Sequence, residues 1–237
     1  MNNHEIVGLV RKELKKYMEV EYRDGERKFF KEKVKNYGVR VPNRRKVAKN
    51  MFYLIKNLKK DKVFKICEEM LKSGYCEETT IAFSWVYWKK KEFKAGDFKI
   101  FERWIKKYVD NWAKCDDFCT HSLGFLVNKY PELSSKLFLW AKSKNRWVKR
   151  AAAVTYIYPW SKPKAIKWVI KTAKALLMDP DDMVQKGYGW MLKEASKCHE
   201  VEVFNYVMLE KHRMPRTALR YAIELMPKKL KVKAMKK

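Results

Sequence analysis

In this 237-residue chain the apolar positions recur at intervals of three and four almost from end to end, and only eight glycines and seven prolines interrupt them. Apolar residues at i, i+3, i+4 and i+7 line one face of an α-helix, whereas a half-buried strand alternates. The pattern therefore commits the chain to an all-α fold. Helices are expected over residues 3–19, 25–36, 43–57, 61–72, 77–94, 97–108, 116–129, 132–142, 145–158, 163–178, 181–197, 200–209 and 214–225. The breaks fall on local punctuation: Pro42 beside Asn43, Ser73 with Gly74, Gly96 with Asp97, Pro131, Pro163, Asp179 with Pro180, and Pro215. Residues 1–226 are expected to form a single domain, and the basic tail from Pro227 to Lys237, PKKLKVKAMKK, is expected to fray.

Small residues recur at matching helix positions. Thr79-x-x-Ala82, Val148-x-x-Ala151, Val184-x-x-Gly187 and Pro215-x-x-Ala218 each open a helix that carries Trp85, Val154, Trp190 and Tyr221, respectively, three residues after the small one. A repeat of helical hairpins stacks into an α-solenoid, whose concave face is lined by the second helix of each pair. The lysines and arginines of those second helices make the expected concave face basic. A four-helix or irregular bundle is the structural alternative.

Composition narrows the partners. Lys and Arg number 55 against 27 Asp and Glu, a net charge of +28, which attracts polyanions such as nucleic acid or an anionic membrane surface. A lysine-rich proteome would give the same excess without a partner. No stretch approaches the roughly 18–20 apolar residues of a membrane span, and the N-terminus MNNHEIVGLVRKELKKYM is amphipathic and acid-bearing, unlike a signal peptide. The chain reads as intracellular, cytoplasmic and without a membrane partner. Its five cysteines form no disulfide-like pattern. Cys115, Cys119 and His121 crowd one turn, but no second Cys or His pair stands at a zinc-site spacing, so they read as packing thiols rather than a metal site.

Chemistry concentrates between Asp110 and Ala153. Residues four apart share a helix face, so Trp112 and Asp116 are expected to project together, with Thr120 one turn further on. An apolar ring beside an anion runs against the positive charge of the whole chain. Arg150 follows one hairpin later, ahead of three alanines that admit a close neighbour. Each residue also has a plainer reading. Asp116 and Asp117 could cap a helix N-terminus, Trp112 and Trp190 could be core, and Arg150 could be a surface ion-pair partner. Gly187 and Gly189 each cost about 1 kcal/mol relative to Ala inside a helix, which close approach of a neighbouring helix would offset.

The motifs NWAKCDD, RWVKRAA and QKGYGWMLKEA, together with GVRVPNRR near Gly38 and KYPEL near Pro131, stand in order along the chain. With these residues the chain resembles the AlkD family of DNA alkylation-repair glycosylases from about Lys28 through Tyr221. The resemblance implies a solenoid of HEAT-like repeats that removes N3- and N7-alkylated purines from double-stranded DNA, as a monomer and without a cofactor or metal. It makes Asp116 the catalytic carboxylate, Trp112 and Trp190 the aromatic walls around the lesion, and Arg150 a DNA-contacting cation. Where the family has a tyrosine nine residues before the glycine of its GxxxPxRR motif, this chain has Phe29, so the ring is kept as a lesion contact and the hydroxyl is lost. Ala113 and Lys114 also replace the acid that often follows the family's tryptophan.

The chemistry of the residues suits those roles. Alkylation at N3 or N7 leaves the purine cationic and ready to depart, so the remaining task is to stabilise an oxocarbenium-like sugar and admit water. A carboxylate does both, and tryptophan faces attract developing positive charge. Nothing here demands an imine, so monofunctional hydrolysis is expected. A non-catalytic nucleic-acid-binding solenoid and a scaffold for an acidic protein partner are the alternatives.

Overall fold

The computed structural model describes residues 1–158 and 162–236. Among them there is no β-strand, only a single bridge between Lys35 and Tyr75, and no helix is long and apolar enough to cross a membrane. The chain divides into two compact units, Met1–Phe118 and Cys119–Lys237, where the sequence reads as one domain through residue 226.

The first unit holds α1 (Asn3–Lys15), α2 (Val20–Arg27), α3 (Val41–Phe52), α4 (Lys60–Leu71), α5 (Cys76–Trp88), α6 (Asp97–Tyr108) and α7 (Trp112–Phe118). Asn2 starts α1 with a capping box: its side chain accepts the Glu5 N–H while the Glu5 carboxylate accepts the Asn2 N–H. Such a cap contributes about 1 kcal/mol. α4 and α5 form a hairpin that turns at Gly74, whose φ of 76° few other residues tolerate. α1 packs on α3 and α4, and α5 packs between α3 and α7. The stripe Phe98, Phe101, Trp104 and Ile105 turns α6 inward, where Phe101 meets Phe118 at 4.9 Å and Phe93 at 5.2 Å between ring centres. Burying each ring contributes about 1.5–3 kcal/mol. Trp85, fully buried on α5, satisfies its indole N–H on the Ala48 carbonyl at 2.9 Å, which fixes α5 against α3.

The second unit opens with a π-helical turn, Cys119–Leu123, and continues through α8 (Gly124–Lys129), α9 (Ser134–Trp140), α10 (Arg146–Val154), α11 (Lys162–Leu176), α12 (Asp182–Ser196), α13 (Glu200–Glu210), α14 (Arg216–Ala222) and α15 (Lys228–Met235). Asn145 caps α10 through the N–H groups of Trp147 and Val148, and Asp181 caps α12 through those of Met183 and Val184. α12 lies between α10 and α14, and two of the small residues expected to repeat are at these contacts, Gly187 against Arg150 of α10 and Ala218 of α14 against Gly189. A side chain at Gly189 would place its Cβ 2.7 Å from Tyr221 Cβ and 2.9 Å from the Ala218 carbonyl. The neighbouring helix thus accounts for this glycine.

Four expectations need correction. Residues 25–36 do not form one helix; α2 starts earlier and ends at Arg27, and the following segment turns and bends before the Lys35–Tyr75 bridge. Backbone bonds to α5 replace helical ones there, with Cys76 N–H donating to the Lys35 carbonyl at 2.8 Å. The helix placed at 116–129 begins instead at Trp112, because Asn111 accepts the Lys114 N–H at 3.0 Å and acts as its cap. Asp116 therefore sits inside the helix and is not its capping acid. Thr120 falls in the π-helical turn, where the i,i+4 register with Asp116 is lost. The tail is not frayed throughout: Lys228–Met235 is helical, Ala234 is buried, and Lys211 Nζ donates to the Lys236 carbonyl at 2.7 Å.

Candidate functional site

α2, the loop after it and the N-terminal ends of α3 and α7 enclose a cleft of about 760 Å³ in the first unit. Four rings line it: Tyr22 on α2, Phe29 and Phe30 just past the end of α2, and Trp112 at the first position of α7. Phe30 stacks on Trp112 with centroids 5.4 Å apart and planes 21° from parallel. Phe29 is 78% exposed, which removes the plain reading of this residue as core. Both aromatic residues named from sequence in this unit, Phe29 and Trp112, therefore meet at the same cleft. Asp116 lies one turn after Trp112 on α7 and is partly exposed, as is Trp112.

The opposite wall comes from the GVRVPNRR run. Arg40 pairs with Glu19 through Nε at 2.9 Å and lies over the Tyr22 ring, its guanidinium carbon 4.8 Å from the centroid. Arg44 is buried, and its Nη2 donates to Glu26 Oε1 at 2.6 Å and to the Tyr22 hydroxyl at 3.4 Å. Burial works against the Arg44 charge, but Glu26 and then Glu77 outweigh it and hold its pKa above the usual arginine value. Asn36 steadies Glu26 with a 2.8 Å hydrogen bond. Sequence reasoning singled out this run without assigning its residues. Phe30, visible from sequence only as the neighbour of Phe29, was assigned no role, and Tyr22, Arg40 and Arg44 went unnamed, although the paired arginines were a visible signal.

The remaining sequence candidates lie in the second unit. Arg150 on α10 is only 6% exposed; its Nη1 donates to the Met183 carbonyl near the start of α12. A Cβ at Gly187 would lie 3.1 Å from Arg150 Cγ, so this glycine makes room for the arginine stem. Arg150 thus braces α10 to α12. Trp190 is partly exposed on α12, beside the close Gly189 contact. Cys119 is buried and His121 exposed, and no group of three metal-ligating side chains occurs among the described residues.

The family model described as DNA alkylation repair enzyme matches residues 10–226. The chain belongs to the DNA alkylation repair enzyme family. That match spans both units and every candidate site residue, and membership places the protein in alkylation repair. A solved structure described as a predicted DNA alkylation repair enzyme from Enterococcus faecalis shares the fold, with a TM-score of 0.79, 16% sequence identity, and coverage of 89% of this chain and 97% of that one. With that likeness the all-helical arrangement is an α-solenoid of helical repeats. No curated protein matches the chain. In this alkylation-repair enzyme α15 lies beyond the matched residues.

Proposed function

We propose that this DNA alkylation repair enzyme is a monofunctional glycosylase, hydrolysing the N-glycosidic bond of N3- and N7-alkylated purines in double-stranded DNA. The observation that carries the reading is the Phe30–Trp112 stack in an open cleft, with Asp116 one turn further along α7. As the bond from C1′ to the purine breaks, its electrons neutralise the cationic base and positive charge grows on the sugar. The face of Trp112 and the Asp116 carboxylate both favour that charge. Water then adds to C1′ and Asp116 orients it and takes its proton.

The net charge of +28 suits binding through phosphates with little sequence preference. Phe29, exposed at the rim, and Trp190, half-buried on α12, would each offer a ring to the lesion strand. Arg150 would contribute by holding α12, with any phosphate contact secondary. The enzyme would act as a monomer. The test is chromatography of the bases released from methylated duplex DNA at excess enzyme. Release of 3-methyladenine and 7-methylguanine supports the assignment, and the absence of any free alkylpurine overturns it.

A further inference from the structure

Both walls of the cleft are tied to one short segment at the start of α5. Glu77 there is fully buried, and its carboxylate accepts three consecutive backbone N–H groups, from Tyr37 at 3.0 Å, Gly38 at 2.9 Å and Val39 at 3.1 Å. Gly38 has φ of 85°, and a Cβ on it would lie 2.4 Å from the Glu19 carbonyl, so the loop has little freedom to turn another way. Successive amides converging on one point form a nest that holds an anion. Here the chain supplies the anion itself. The residues that follow the nest include Arg40, Val41 and Arg44, which line the cleft together with Phe30 and Trp112. Glu78, also fully buried, adds a 2.7 Å bond from the Tyr37 hydroxyl and a pair with Arg11 at 3.0 Å. The other wall is tied to the same turn: Lys114 Nζ, two residues after Trp112, donates to the Gly74 carbonyl at 2.9 Å.

We infer that Glu77 is a positioning residue: by filling the nest at residues 37–39 it sets Arg40, Val41 and Arg44 at the distance from Trp112 that a lesion nucleotide needs. Its chemical consequence rests on the glycosylase reading, whereas its structural consequence rests on the nest alone. A carboxylate needed only to favour the α5 N-terminus would do so from the surface. Three converging amides left without their anion would instead bind a small one from solution.

The experiment uses the full-length protein with Glu77→Ala and Glu77→Gln, each measured per folded molecule. Single-turnover excision of 7-methylguanine, affinity for undamaged duplex and hydrogen exchange at the amides of residues 37–39 are compared in formate and in chloride at equal ionic strength. Misplacing a site by an ångström is enough for large rate losses, so excision by Glu77→Ala is expected to fall about tenfold or more while duplex affinity stays within about twofold. Exchange at residues 37–39 is expected to rise, and formate but not chloride is expected to reverse both changes. Glu77→Gln, which keeps one acceptor oxygen, is expected to fall between the two. Wild-type excision in folded Glu77→Ala overturns the inference, as does a loss that formate leaves untouched with exchange at 37–39 unaltered. If Glu77→Ala does not fold, Glu77→Gln decides on excision and exchange alone, and wild-type excision with unaltered exchange at 37–39 overturns the inference. If the wild-type protein releases no alkylpurine, the glycosylase reading falls, and the exchange measurement and its response to formate decide the role of Glu77.

Discussion

Asp116 follows Trp112 by one helical turn, deep enough in α7 that its carboxylate is not spent on capping, a task that Asn111 performs. Replacing it with asparagine keeps its size and removes charge and basicity. Asp116→Asn is expected to slow single-turnover release of 7-methylguanine by about 100- to 1,000-fold, the usual effect of one preorganised electrostatic group, with duplex affinity nearly unchanged. A folded variant with wild-type rates would take Asp116 out of the reaction, and Asp117 would be the next residue to change. The neighbouring rings separate more finely. Phe30 stacks on Trp112 while Phe29 stands 78% exposed, so truncation to leucine should read differently at each. Ring contacts to a nucleotide contribute about 1–3 kcal/mol. Phe29→Leu is therefore expected to weaken lesion handling without shifting the melting temperature, and Phe30→Leu to lower both. Phe29→Tyr, which restores the hydroxyl of the resembling family, is expected to excise at least as well as the wild type. A Phe29→Leu variant altered in stability alone would remove Phe29 from the lesion site.

At the scale of the helices, two glycines of the same chemistry should give opposite answers. Gly8 lies mid-way along α1 with nothing within 4 Å of an added Cβ, whereas Gly189 on α12 would meet Tyr221 Cβ at 2.7 Å. Gly8→Ala is expected to stabilise by up to about 1 kcal/mol through helix propensity. Gly189→Ala gains the same propensity but overpacks the α12–α14 contact at a cost of about 1–3 kcal/mol, so it should melt lower. Thermal unfolding of the pair checks both, and a stabilised Gly189→Ala would show that α14 yields easily. Arg150 belongs to this scale too. Losing a buried, charged hydrogen bond typically costs about 1.5–3 kcal/mol, so Arg150→Ala is expected to destabilise the second unit and to leave the salt dependence of DNA binding unchanged. A salt slope reduced by about one phosphate's worth, near 0.9, would return Arg150 to the DNA interface.

For the whole molecule, the excess of 55 basic over 27 acidic residues predicts duplex binding that weakens steeply with salt, by about 0.9 in log K per log unit of salt for each phosphate neutralised. A flat dependence would remove DNA as the ligand. The same packing that hides the core hides its thiols. Cys67, Cys76, Cys115 and Cys119 are buried and Cys198 is exposed, and burial pushes the Cys76 thiol up to about 11. Alkylation of the native protein near neutral pH should therefore modify one cysteine of the five, with the other four reacting only after unfolding.

Helical periodicity, sparse glycine and proline, and local punctuation such as Ser73 with Gly74 and Gly96 with Asp97 were enough to read an all-α chain of repeats, because these signals act within one or two turns of backbone. Gly187, one of the repeating small residues, was equally legible, since a Cβ there would lie 3.1 Å from the Arg150 stem. Trp112, Asp116 and Phe29 could be picked out from motifs, but their surroundings could not. The segment from 31 to 36 carries a helical pattern and yet is not helical, because Lys35 and the amides of 37–39 find partners on α5, some 40 residues away in sequence. Arg40, Arg44 and Trp112, far apart in sequence, line one cleft. Burial of Arg150 was likewise decided by the neighbouring helix, which supplies both the Met183 carbonyl and the gap at Gly187. Local sequence thus determined where helices form and which residues could react; tertiary structure decided which ones meet, because a partner's identity is fixed by contacts that no local pattern encodes.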